Sequence, residues 1–173
     1  MAIIRPLRGI TPKIGKDCFI AENAVIIGDV EIGDGCSIWY NAVLRGDVNS
    51  IRVGNNVNIQ DGAVIHTLYK KSVAEIGDNV SIAHNAVVHG AKVHNDVLIG
   101  IGAILLDWVE VEPNSIVAAG SVVLSKTKIE SGSIYAGNPA KRIKDVEEEQ
   151  AKTMITGIAN NYKMYAGWYG EEK

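Results

Sequence analysis

The stretch Ile14-GKDCF-Ile20-AENAV-Ile26-IGDVE-Ile32-GDGCS-Ile38-WYNAV-Leu44 sets a large aliphatic residue at every sixth place without a miss. The phase resumes after a three-residue slip at Val53, Ile59 and Ile65. Five extra residues then lead to Ile76, Ile82 and Val88, and one dropped residue to Val93, Ile99, Leu105, Val111, Val117, Val123 and Ile129. All 19 phased positions are aliphatic in a chain where Ile, Leu and Val supply 49 of 173 residues, so the period is not chance. The fifth place of each hexad is small or β-branched, from Cys18, Ala24, Val30, Cys36 and Ala42 through Val57, Ala63, Val80 and Ala86 to Ser115, Ser121, Thr127 and Ser133. A large group alternating with a small one fits the inside of a narrow prism. Each hexad is then one short strand plus a corner, three hexads close a triangular coil, and coils stack at about the 4.8 Å strand spacing. Gly15, Gly33, Gly54, Asn55, Gly77, Asp78 and Asn79 fall at corners and are expected to supply positive φ. Cys18 and Cys36 lie one coil apart and are expected to stack as small core fillers.

Working outward, the 173 residues suffice for one domain with a sizeable core. The expected division is a prism over about residues 10–140 and a helix over about 145–169, all within a single domain 1–173. Asp145, Glu147, Glu148 and Glu149 sit where the positive end of a helix dipole falls, and Ile155, Ile158, Tyr162 and Tyr165 follow as a helical stripe. No apolar run approaches the ~20 residues of a membrane helix, and the opening MAIIRPLRG has no secretion signal core. With two cysteines and no disulfide scaffold, the expected compartment is the cytoplasm. A net charge of −3 argues against a nucleic-acid partner.

The four histidines are His66, His84, His89 and His94. His66 and His89 both occupy the second place of a hexad. If the extra residues within Thr67 to Glu75 bulge out as a loop, the two stand on one face, one coil apart, and can share a metal. His84 occupies the third place of its hexad and should face another way, so a symmetric trimer would supply it as the third ligand across an interface. His94 reads as a solvated corner residue. Two polar clusters flank the set, Arg45-Gly46-Asp47 in the first slip and Asn58-Ile59-Gln60-Asp61-Gly62 just before His66. An Arg45–Asp47 pair suits a trimer interface, and the Gln60 amide can hydrogen-bond a water on the metal.

The hexads resemble the hexapeptide-repeat superfamily, an all-β solenoid built as a left-handed parallel β-helix that usually forms trimers; the left hand comes from this resemblance. Arg45-Gly46-Asp47, Asn58-x-Gln60-Asp61, His66 and His84-Asn85-Ala86-Val87-Val88-His89-Gly90 resemble, more closely, the gamma-class carbonic anhydrase family, over about Ile10 to Pro139. The resemblance implies a left-handed β-helix homotrimer with a C-terminal α-helix. It also implies a metal held by His66 and His89 of one chain and His84 of the next. Arg45 and Asp47 are then interface residues, and Asn58, Gln60 and Asp61 surround the solvent on the metal. Tyr162 is the candidate for the helix tyrosine that approaches the site in some members. The implied reaction is reversible hydration of CO2 to bicarbonate. Zinc is the default cofactor, with iron or cobalt as alternatives that accept the same ligands. Three neutral imidazoles leave the cation's charge to act on water, whose pKa can fall to about 7. Archetypal members carry a glutamate just after the Arg-Gly-Asp string and acidic residues after the first metal histidine. Here Val48 takes the first place, and Thr67-Leu68-Tyr69-Lys70-Lys71-Ser72 is short and basic, as in a shorter branch without that proton route.

Two other readings use the same fold. Tyr135-Ala136-Gly137-Asn138-Pro139-Ala140-Lys141 resembles the segment that ends many hexapeptide-repeat acyltransferases near coenzyme A, and a thioesterase acting on acyl-CoA is a variant of that reading. A trimeric scaffold that keeps its metal is the non-catalytic alternative.

Overall fold

The computed structural model describes residues 1–171 and shows short parallel strands wound into a left-handed, three-faced prism with one helical segment at its C-terminal end. One face stacks Phe19–Ile20, Ser37–Ile38, Asn58–Ile59, Ser81–Ile82, Leu98–Ile99, Ile116–Val117 and Ser133–Gly137. The other two faces form one continuous sheet, because the long strands Val25–Ile32 and Val43–Val53 run round the corner between them. The register follows the hexad phase. Val53 pairs with Ile76, Ile59 with Ile82 and Ile65 with Val88, so the five extra residues are set outside the coil. Seventeen of the 19 phased aliphatics are buried, each worth roughly 1.5–3 kcal/mol against exposure. Ile14 and Ile20 pack against the core but are half-buried, because their strands have a neighbour on one side only. The prism starts earlier than the hexads indicate, since Ile3–Arg5 already pairs in parallel with Val25, Ile26 and Ile27.

The corner glycines do a different job from the expected one. Positive φ falls on Asn56 and Asn79, not on Gly54 or Gly77. Those glycines are needed for close stacking: a Cβ on Gly54 would lie 2.7 Å from the Gly77 carbonyl carbon, and one on Gly77 2.8 Å from the Asn95 nitrogen. The same corner is tied by side-chain oxygens that accept from the coil before. Asp34 takes the Lys16 N–H at 2.7 Å, Asn55 the Asp34 N–H at 2.9 Å, Asp78 the Asn55 N–H at 2.6 Å and Asn95 the Asp78 N–H at 2.9 Å. Cys18 and Cys36 precede register partners on adjacent coils and are free thiols.

The helix begins at Glu148 rather than near residue 145, because Ala140–Asp145 folds back antiparallel on Ser133–Gly137. Gly137-Asn138-Pro139-Ala140 is the turn of this hairpin. Helix then runs through Glu148–Gln150, a π-helical segment Ala151–Thr156 and Gly157–Glu171. It docks through Ile155, buried with Leu98 and Ile116, and through an aromatic cluster in which Trp39 lies 5.2 Å from Tyr162 and 4.9 Å from Phe19 between ring centroids.

The outward rows give the three faces different surfaces. The helix lies over the face that carries Asn58, Ser81, Leu98 and Ile116. A second face carries Lys13, Glu31, Arg52, Glu75, Lys92, Glu110 and Lys128, register partners of strictly alternating sign. The third carries Val25, Val43, Val64, Val87, Ile104 and Val122, also register partners, all half-exposed. Each of these β-branched side chains suits a pleated sheet, and together they leave one face apolar.

Candidate metal centre

His66, His84 and His89 lie at the two edges of the apolar face. His66 and His89 end its strands Val64–His66 and Val87–His89 and are register partners. His84 stands in the turn between Ser81–Ile82 on the helix-covered face and Val87–His89 on the apolar one. The remaining candidate residues divide between these edges. Arg45 and Asp47 gather at the pair, whereas Asn58, Gln60, Asp61 and Tyr162 gather at His84. One chain therefore carries two separate clusters, one at each edge.

At the pair, His66 Nε2 lies 3.0 Å from Asp47 Oδ1, and Asp47 Oδ2 accepts from Arg45. His89 Nδ1 lies 3.1 Å from Asp107 Oδ2, while Asp107 Oδ1 accepts from the Ser72 hydroxyl. Each carboxylate fixes the N–H on the ring nitrogen that faces it. That leaves His66 Nδ1 and His89 Nε2 turned toward each other, 3.2 Å apart. Burial, with the Arg45 charge and His89 beside it, lowers the His66 pKa against the pull of Asp47, which favours the neutral imidazole. Burial raises the Asp47 carboxyl, but the hydrogen bonds from His66 and Arg45 and the Arg45 charge together hold it below its ordinary value. Two facing lone pairs at this distance repel unless a cation lies between them. Nitrogens about 2.0–2.1 Å from a tetrahedral zinc ion stand about 3.3 Å apart, so the pair fits two ligand positions. Thr67, immediately after His66, is buried, and its hydroxyl has no hydrogen-bond partner among the described residues.

At the other edge, His84 Nδ1 lies 3.0 Å from Asp61 Oδ2, and its Nε2 accepts from the Tyr162 hydroxyl at 3.2 Å. The His84 backbone N–H donates to Gln60 Oε1 at 3.2 Å, Gln60 Nε2 to Asn58 Oδ1 at 2.9 Å, and Asn58 Nδ2 to Ser81 Oγ at 2.7 Å. Gln60 and Asn58 are buried, so this chain holds a stiff support under His84. Burial, with the Asp61 charge and Tyr165 beside it, pushes the Tyr162 phenol up to about 12, since each disfavours the phenolate. The expected result is that Tyr162 still carries its proton where ordinary tyrosines have ionised. Absorbance titration of the wild type against Tyr162→Phe should place the difference transition near pH 12, and a midpoint near 10 would contradict this packing.

His94 stands just after the strand Lys92–Val93, half-buried, with its Nε2 3.0 Å from Glu110 Oε1 on the charged face. With Glu112 these form the one group of three metal-ligating side chains within 4.8 Å among the described residues, but Lys128 already sits 2.7 Å from Glu112. Asp107 and Ser72 were missed by the sequence reading. Asp107 is visible as the residue 18 places after His89, one coil on; Ser72 lies in the loop, where no period applies. Among the described residues no helix is long and apolar enough to cross a membrane.

Stacked hexapeptide coils with imidazoles at the edges of one face define a class of protein, the hexapeptide-repeat β-helix. The family model "Bacterial transferase hexapeptide (six repeats)" matches residues 11–46 and 90–125. A Geobacillus kaustophilus protein named carbonic anhydrase is 39% identical over 152 residues, 88% of this chain and 83% of that protein. Gamma carbonic anhydrase 2, mitochondrial, of Arabidopsis thaliana is 46% identical over 157 residues, 88% of this chain but 56% of that protein. The chain thus spans little more than half the length of the Arabidopsis relative. A hexapeptide transferase family protein from Anaplasma phagocytophilum superposes with a TM-score of 0.91 at 40% identity, covering 96% of this chain and 98% of that one. The chain belongs to the gamma-class carbonic anhydrase family.

Proposed function

We propose that the chain is a metal-dependent carbonic anhydrase that interconverts CO2 and bicarbonate at sites shared between the chains of a homotrimer. The observation that carries this reading is the facing of His66 Nδ1 and His89 Nε2 at 3.2 Å, each ring held from behind by a carboxylate. The third ligand would be His84 of a neighbouring chain. Its support is the apolar face, which has the His66–His89 pair on one edge and His84 on the other. A three-fold arrangement that covers this face sets one edge of each prism against the opposite edge of the next. Zinc fits three imidazoles by default, with iron or cobalt accepting the same set. When bound, the cation supplies the Lewis acidity that brings the pKa of water at the site to about 7.

The chain's own residues do the rest. Asp47 and Asp107 hold the two rings in the tautomers that present lone pairs, and Arg45 steadies Asp47 at the interface. Asn58 orients the Gln60 amide, which would hold the hydroxide or bicarbonate, and Asp61 and Tyr162 set the His84 ring. Val48 stands where archetypal members have a glutamate, so protons would leave through buffer rather than through that side chain. The acyl-transfer reading leaned on Gly137-Asn138-Pro139-Ala140, and that segment is accounted for as the turn of the closing hairpin. The test is metal analysis followed by stopped-flow CO2 hydration on the same sample. The expected result is about one ion per chain and hydration that a chelator abolishes. Protein that takes up no metal on reconstitution, or holds metal without hydrating CO2, overturns the reading.

A further inference from the structure

A cavity of about 530 Å³ lies between the helical segment and the prism. Leu98, Ile116, Met154 and Ile158 give it apolar walls, and it reaches Gln60, His84 and Tyr162. Its size does not match CO2. Pockets for drug-sized ligands run about 300–1,000 Å³, whereas a water takes about 30 Å³, so a triatomic substrate leaves most of this space unfilled. The helix above it is also irregular. Ala151–Thr156 is π-helical, with the Gly157 N–H bonded to Lys152 O, and Met154 of this segment lines the cavity. Such segments are rare and concentrate at functional sites. The lining includes no Lys, Arg, Asp or Glu, so none of these side chains there neutralises a charged ligand. Asp61, 3.0 Å from His84, further disfavours an anion at the polar end.

We propose that this cavity binds a neutral aliphatic molecule with a carbonyl head, a medium-chain amide or ester, beside the metal centre. Its aliphatic chain lies among Leu98, Ile116, Met154 and Ile158, where each CH2 leaves water. The carbonyl oxygen accepts from the Tyr162 hydroxyl. That one hydrogen bond rests on the proposed role of His84, whose engagement as a ligand frees Tyr162 to donate elsewhere; the cavity itself does not depend on it.

Calorimetric titration of the full-length protein with octanamide, metal-loaded and again after chelation, and with octanoate after chelation, so that no cation at His84 draws the carboxylate, tests the proposal. Octanamide is expected to saturate, and octanoate to bind at least about tenfold more weakly, about 1.4 kcal/mol. Octanamide should slow amide exchange across residues 150–162, and Ala118→Phe, which narrows the cavity, should remove binding. No saturable heat, octanoate binding as tightly, or undiminished binding to Ala118→Phe overturns the proposal. If Ala118→Phe melts early, the exchange measurement on the wild type decides, and unchanged exchange is then a contradiction. Metal content on the same sample separates the two readings. Protein that takes up no metal on loading yet binds octanamide sinks the anhydrase reading and leaves the cavity standing.

Discussion

A His84→Ala chain should lose its metal as completely as a His66→Ala chain. Within one chain that result is unexpected, because His84 contacts Asp61, Tyr162 and Gln60 and makes no contact with the facing pair. A site built by one chain from His66, His89 and their carboxylates would keep its ion when His84 is removed. A site shared across an interface would not. Removing an outer-shell partner of a metal ligand costs about 10–100-fold in affinity, so loss of a ligand should exceed about 100-fold. Metal analysis after dialysis reads this directly, and His84→Ala protein with stoichiometric metal would sink the assignment. Asp107→Asn is the graded comparison: it leaves the ligands in place and should fall within the outer-shell range.

The second large effect is expected at Val87→Glu. Val87 points outward from the apolar face, between Val64 and Ile104, and is half-exposed in the single chain. A glutamate there meets water in a lone prism and costs that prism little. In a trimer that covers this face it buries three charges, each costing several kcal/mol. Light scattering should therefore show monomers, circular dichroism an intact strand signal, and metal analysis an empty site. Lys92→Gln, on the charged face, should leave the assembly and its metal unchanged. A trimeric Val87→Glu protein would place the interface elsewhere.

The prism was legible because its rule is local and repeated. Ile59, Ile82 and Val88 could be assigned to coils by counting, and the count placed His66 over His89 across five extra residues. The charged and apolar rows are equally countable, one place before each phased aliphatic, and so is Asp107, one coil after His89. Other features follow from geometry that no period carries. Gly54 and Gly77 read as turn formers because glycine serves both positive φ and close approach, and only the stacked backbones distinguish the two. The Ala140–Asp145 strand leaves the hexad pattern and pairs antiparallel, so its charged residues read as the start of a helix. The π-helical segment depends on how Ile155 meets Leu98 and Ile116, a tertiary fit that helical periodicity does not register. The two clusters were readable as phases, since Asp61 stands one coil before His84 with Asn58 and Gln60 just ahead of it. Their separation from Asp47 and His66 became visible only as distances.

The central claim is that each chain holds two halves of different sites, and mixing tests it most directly. His66→Ala chains and His84→Ala chains, each without metal alone, are unfolded together in equal amounts, refolded with zinc and dialysed. In a cyclic trimer about a quarter of the interfaces then join an intact pair to an intact His84. The account predicts that metal returns to about that fraction and that CO2 hydration returns with it. A mixture as empty as its two components would contradict it.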